Sequence, residues 1–317
     1  METCDGETSA VQSAAVALAN TRSGAGAPYR EYFSGRGDDR IHCVEAGEGP
    51  VVLFVHGFPS FWYCWRSQME HLRTTRRVVA IDAVGAGLSA KPTDPAAYRI
   101  ERLAERLDRL IEELASGQKI TLVGHDWGGA LAWSYTKWRS DKVDRLAVFS
   151  APPFDLMLEL LKSNAEQQDR SSYMIRLKGL ERQEVDRQDI AARLYEVAYG
   201  ACVERGSLSS AEGELFRAAL AAQDAVYGGA QWYAANIPDF AEIDLQRDSW
   251  PSHGSPAPVP VMLVVGTEDR TFVPEMAAAA RGHAASLDLV TLEGVGHWTQ
   301  FERPNLANAA LDRFLDT

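Results

Sequence analysis

The chain has 317 residues, 46% of them hydrophobic, which is ample for one large α/β domain or for a core carrying an insertion. Its formal net charge of -12 argues against nucleic acid and anionic membrane surfaces as partners. The four cysteines (Cys4, Cys43, Cys64, Cys202) are scattered without metal spacing or a disulfide framework, so a reduced, cytoplasmic setting is expected. No apolar run reaches the roughly 18 residues that a transmembrane helix needs.

Residues 1–28 are rich in Ala, Ser, Gly and Thr and open with Glu2, Asp5 and Glu7, whereas a secretory signal opens with positive charge. They read as a disordered N-terminal extension. Short strands are expected at Arg30–Phe33 and Ile41–Glu45. The continuous apolar run Val51–Val55 has the length and character of a strand buried on both faces of a parallel sheet, and Arg77–Ile81 reads as another buried strand. Ile100, Leu103, Leu107, Leu110, Ile111 and Leu114 recur at helical spacing, closed by Gly117. Strands follow at Ile120–Val123 and Val143–Ser150. From about Phe154 to Phe240 strand runs cease and charged helical patterns take over, among them Asp189–Tyr199 and Ala211–Ala222. After the proline-rich stretch Pro251–Pro260, strands return at Val259–Val265 and Leu287–Leu292, and a last helix at Leu306–Leu315. Such alternation implies an α/β protein with a mostly parallel sheet flanked by helices. The expected division is a core of residues 29–153 and 241–317, with a helical cap, 154–240, inserted into it.

One stretch organises the rest. Ile120–Val123, then Gly124-His125-Asp126-Trp127-Gly128-Gly129, reads as strand, tight turn and helix, the elbow that lifts one side chain clear of a sheet. Asp126 occupies the apex. A serine attacking a saturated carbon would leave an ether that water does not readily cleave, whereas aspartate leaves an ester that an activated water can hydrolyse. The pattern therefore points to attack on sp3 carbon. The competing reading of Asp126 is a helix N-cap with no chemistry. An elbow nucleophile needs an acid and a histidine, in that chain order. The strand Val261–Val265 runs into Gly266-Thr267-Glu268-Asp269, and the next into Gly294-Val295-Gly296-His297-Trp298. His297 is the expected base and Asp269 its acid, with Glu268 as the weaker candidate.

His56-Gly57-Phe58-Pro59, the elbow, Asp269 and Gly296-His297-Trp298 together resemble the α/β-hydrolase-fold epoxide hydrolases, from about residue 30 onward. The resemblance implies an oxyanion hole from the backbone N–H groups of Phe58 and Trp127. It implies two cap tyrosines that donate to the epoxide oxygen, matched here by Tyr173 and Tyr233, with Tyr195, Tyr199 and Tyr227 as competitors. His56, Pro59, Trp62 and Trp298 are the implied pocket residues. An apolar epoxide and water would be the only partners, no cofactor or metal is implied, and the chain would act as a monomer or homodimer. Two departures stand out: Asp82–Gly87 lacks the arginine and aromatic that relatives often carry, and Gln231 replaces an asparagine. The nearest rival is a haloalkane dehalogenase, which needs halide donors beside the same aspartate. A non-catalytic binding protein on the same fold is the other alternative.

Overall fold

The computed structural model describes residues 4–22, 28–187 and 189–316. Eight strands form one sheet: β1 (Arg30–Ser34), β2 (Ile41–Ala46), β3 (Val51–Val55), β4 (Arg77–Ile81), β5 (Ile120–His125), β6 (Val143–Phe149), β7 (Ala257–Gly266) and β8 (Ala284–Leu292). Their order is β1-β2-β4-β3-β5-β6-β7-β8. β1 and β2 pair antiparallel, as do β2 and β4, and every later pairing is parallel. The apolar runs are central for a physical reason. Val52, Leu53, Phe54 and Val55 are all fully buried, with helices covering both faces. Burial of such side chains stabilises by about 1.5–3 kcal/mol each.

The helices are α1 (Cys4–Arg22), α2 (Arg66–Leu72), α3 (Ile100–Ala115), α4 (Trp127–Trp138), α5 (Phe154–Ser163), α6 (Ala165–Arg170), α7 (Ser172–Lys178), α8 (Arg182–Arg187), α9 (Ile190–Tyr195), α10 (Ala201–Glu204), α11 (Ser210–Ala221), α12 (Ala225–Asn236), α13 (Leu245–Asp248), α14 (Glu275–Ala279), α15 (Thr299–Glu302) and α16 (Pro304–Leu315). α3 buries Leu103, Leu107, Leu110, Ile111 and Leu114 along one face, and its end passes through a left-handed Ser116 at φ 48° before Gly117. The helices α5 to α13 all lie between β6 and β7 in the chain. No described helix is long and apolar enough to cross a membrane.

The N-terminal segment differs from expectation. Residues 1–3 and 23–27 of the expected disordered extension lie outside the described residues, but Cys4–Arg22 is the helix α1. Ala15 and Ala19 are buried, and Gln12, 1% exposed, points inward. Its Nε2 donates to Asp82 Oδ2 at 2.9 Å, and its Oε1 accepts from the Trp62 indole at 2.6 Å. Gln12 is polar and Ser13 follows it, so the segment looked too dilute to pack. The helix packs through small alanines, the half-buried Val16 and Leu18 and one satisfied amide, a combination that carries only a weak hydrophobic signal.

Candidate active site

Asp126 sits between β5 and α4 with φ 51° and ψ -126°, a conformation that costs a non-glycine residue about 1–3 kcal/mol. Close packing sustains it. A side chain at Gly128 would come within 2.3 Å of the Val55 carbonyl, and one at Gly57 within 2.3 Å of Asp126 Oδ1. The Asp126 side chain does not serve as the N-cap of the helix it opens. Its Oδ1 instead accepts the Phe58 N–H from the loop after β3, at 2.9 Å.

Two other strand ends complete the arrangement. His297, in the loop after β8, directs Nδ1 at Asp269 Oδ2 (2.9 Å) and Nε2 at Asp126 Oδ2 (3.6 Å). Asp269, in the loop after β7, is steadied by the Thr271 N–H, which donates to Oδ1 at 2.8 Å. Glu268 turns away and pairs with Arg205 at 3.2 Å on the surface, which separates the two acid candidates. Crossing from sheet to helix layers, Tyr233 on α12 stands edge-on to Trp127 (ring centroids 5.1 Å apart) and to Phe58 (5.9 Å). Tyr173 on α7 stands edge-on to Tyr233 at 6.0 Å.

The electrostatics follow from burial against charge. Burial alone would depress the His297 imidazole, but the charge of Asp269 and the interaction with Asp126 outweigh it and lift the pKa to about 10. Burial would raise Asp126, yet His297 and the Trp127 N–H hold it below the usual carboxylate range. Asp269 is lowered too, since His297 and Thr271 overcome its burial. Both tyrosines are pushed up, first by burial and then by neighbouring charge, including that of Asp126. They are therefore neutral donors at any ordinary pH. His125 is buried beside His297 and pushed down to about 3. Its Nε2 meets the His297 carbonyl at 3.1 Å.

The pocket residues divide. One cleft beside Phe58 is lined by His56, Pro59, Trp127, Phe216, Leu220 and Trp232. A second holds Asp126 among Trp127, Phe154, Met157, Met174 and Phe272. His56 is committed to backbone, with Nδ1 on the Gly57 carbonyl at 2.7 Å and Nε2 on the Ala83 N–H at 2.9 Å. Trp62 and Trp298 line neither cleft, contrary to expectation. Trp62 turns back to Gln12, and Trp298 stacks on His125 with its indole N–H on the Ala198 carbonyl. Both are large rings beside the loops, and the sequence carries no sign of which way they rotate.

Two residues that the pattern missed steady the His297 loop. Glu302 accepts the Gly296 N–H on Oε2 and the Trp298 N–H on Oε1, both at 3.0 Å, so it brackets His297. The Thr271 hydroxyl lies 3.3 Å from His297 Nδ1. Only the short spacing of Glu302 from His297 hinted at such a role.

Known proteins resemble this chain over most of its length. A family model described as the alpha/beta hydrolase fold matches residues 50–304. Epoxide hydrolase 3 of Xenopus tropicalis is 30% identical over 287 residues, covering 87% of this chain and 74% of that protein. Epoxide hydrolase 2 of Caenorhabditis elegans is 26% identical over 285 residues, covering 87% and 77%. The crystal structure of a Bacillus megaterium epoxide hydrolase with an inhibitor superposes at a TM-score of 0.82, with 28% identity over 90% of this chain and 100% of that one. An aspartate at the elbow, an acid and a histidine after β7 and β8, and relatives of this kind over most of the chain make it a member of the epoxide hydrolases of the α/β-hydrolase fold.

Proposed function

We propose that this hydrolase converts an apolar epoxide to a vicinal diol through a covalent aspartyl ester. The observation that carries the reading is the two-sided Asp126 carboxylate, with the Phe58 N–H on one oxygen and His297 facing the other. The Oδ2 atom attacks an epoxide carbon, the carbon–oxygen bond breaks, and Tyr173 and Tyr233 donate to the leaving alkoxide, one of them yielding a proton. A neutral hydroxyalkyl ester then replaces the carboxylate. Loss of the Asp126 charge withdraws one of the supports of the His297 proton, which passes to the tyrosinate and leaves a neutral imidazole able to act as base. His297 takes a proton from water, and the hydroxide adds to the ester carbonyl. The oxyanion rests on the Phe58 and Trp127 N–H groups at the start of α4. Collapse releases the diol and restores the carboxylate, and the proton taken from water stays on His297, as in the resting site.

In this reading residues 29–153 and 241–317 are the core, and residues 154–240 a cap that supplies both tyrosines. The apolar lining of both clefts supports an apolar substrate. Free, buried Cys43, Cys64 and Cys202 are in keeping with a reduced, cytoplasmic setting. The dehalogenase alternative is disfavoured by a specific commitment. Trp232, whose ring lies 5.8 Å from that of Trp127, gives its indole N–H to the Val84 carbonyl at 2.8 Å and so is not a second halide donor. The test is His297→Gln, mixed with styrene oxide or 1-chlorohexane and followed by intact mass. An adduct from the epoxide that Asp126→Ala abolishes is the expected result. An adduct from the chloroalkane alone would reassign the protein as a dehalogenase.

A further inference from the structure

Between α9 and α10 the residues Glu196–Gly200 form a single π-helical turn. Such turns are rare and widen the coil, and they recur at functional places. Two consecutive residues of this turn reach the loops around Asp126. The Ala198 carbonyl accepts the Trp298 indole N–H at 2.7 Å. Tyr199, fully buried, donates its phenol to the Pro59 carbonyl. The Tyr199 ring also stacks on Trp298 at 4.9 Å and on Phe216 of α11 at 4.5 Å, so its position is held from both sides.

The two anchor points have something in common. Trp298 directly follows His297, and Pro59 directly follows Phe58. His297 and the Phe58 N–H are the groups on which hydrolysis of the ester depends. Tyr173 and Tyr233, which assist ring opening, stand on α7 and α12 instead. The insert thus touches the machinery of the two chemical steps through different elements.

We propose that the turn Glu196–Gly200 is a clasp that positions His297 and the Phe58 amide for the second step, with Tyr199 and Trp298 as its positioning residues. This inference rests on the epoxide reading above. The clasp holds two loops that arise far apart in the chain at one separation, set by the width of the turn. An ordinary packing anchor would act on both steps alike, whereas the clasp acts on ester hydrolysis and spares alkylation.

Tyr199→Phe and Trp298→Phe each remove one anchoring hydrogen bond and keep an aromatic ring. Rapid-quench kinetics with styrene oxide, together with intact mass during turnover, separate the two steps. The expected result is ester hydrolysis slowed about tenfold or more with alkylation changed by less than about twofold. The covalent ester then accumulates, and kcat and KM fall together while kcat/KM holds. Equal loss in both steps, no change in either, or failure of both variants to fold marks a packing anchor and overturns the clasp. The His297→Gln variant serves as the control for the underlying chemistry. No ester in that variant sinks the epoxide reading and the clasp with it, whereas an ester there with unslowed hydrolysis in both clasp variants sinks the clasp alone.

Discussion

His297 carries the main electrostatic consequence of the site. Flanked by Asp269 at 2.9 Å and Asp126 at 3.6 Å, it is held protonated through neutral pH, with a pKa of about 10. Its folded value lies above the ordinary one, so its contribution to stability is fully present below about pH 6.5 and is lost as pH rises through about 10. Asp126→Asn removes one of the two charges that raise it. The His297 imidazole, followed by NMR, is expected to titrate near the alkaline end in the native protein and clearly lower in that variant. Equal midpoints in the two proteins would show that Asp269 alone sets the value. In the proposed mechanism the proton must leave for the second chemical step, so the same shift would tie alkylation of Asp126 to activation of the base. Among single residues, Asp126, Asp269 and His297 were legible because each follows a strand of the expected sheet in a turn that contains glycine. Glu302 was not, because its role depends on a turn of chain that brings its carboxylate back to two backbone N–H groups.

At the scale of elements, the N-terminal helix α1 departs most from what its composition suggests. It caps a buried polar cluster centred on Asp82, whose carboxylate also accepts from the Trp62 N–H (3.1 Å), the Leu88 N–H (3.0 Å) and His42 (2.9 Å). Asp82 stays ionised because His42 and these donors outweigh its burial. Gln12→Ala leaves the Trp62 indole N–H buried without its acceptor, and such a loss costs roughly 1–3 kcal/mol. A fall in Tm of several degrees by circular dichroism is expected. An unchanged Tm would mean that α1 rests on the fold without supporting it. The strands tell the opposite story. β3 and β4 match the expected strands residue for residue, since segments rich in Val, Leu and Ile are favoured inside the sheet, where both faces are covered.

For the whole molecule, the relation between the sheet and its helical insert governs the geometry of the site. α12 is fastened to the core at three places: Trp232 to the Val84 carbonyl, and Asn236 to both the Tyr98 carbonyl and the Ile100 N–H, each at 2.8 Å. Beside them the backbones of Gly228 and Gly85 touch. A side chain at Gly228 would lie 2.4 Å from the Gly85 carbonyl. The glycine at position 85 thus lets α12 approach closely and seat Tyr233 beside Trp127. Gly228→Ala is expected to lift α12 and move Tyr233. Displacement on the order of 1 Å lowers kcat/KM for an epoxide by about 100-fold. An unaltered kcat/KM would mean that the insert has slack at this contact.

The sequence by itself determined the alternation of strands and helices, the elbow with an aspartate at its apex, and the chain order of acid and base. Each is a local pattern: an apolar run, a glycine where backbone crowds, a polar residue where a strand ends. Tertiary structure alone decided that Gln12 reaches Asp82, that Trp62 and Trp298 turn away from the clefts, and that the phenol of Tyr199 ends on Pro59. These depend on the rotation of single side chains and on contacts between segments up to 140 residues apart. Periodicity records which face of an element is buried, but not which distant partner meets it there.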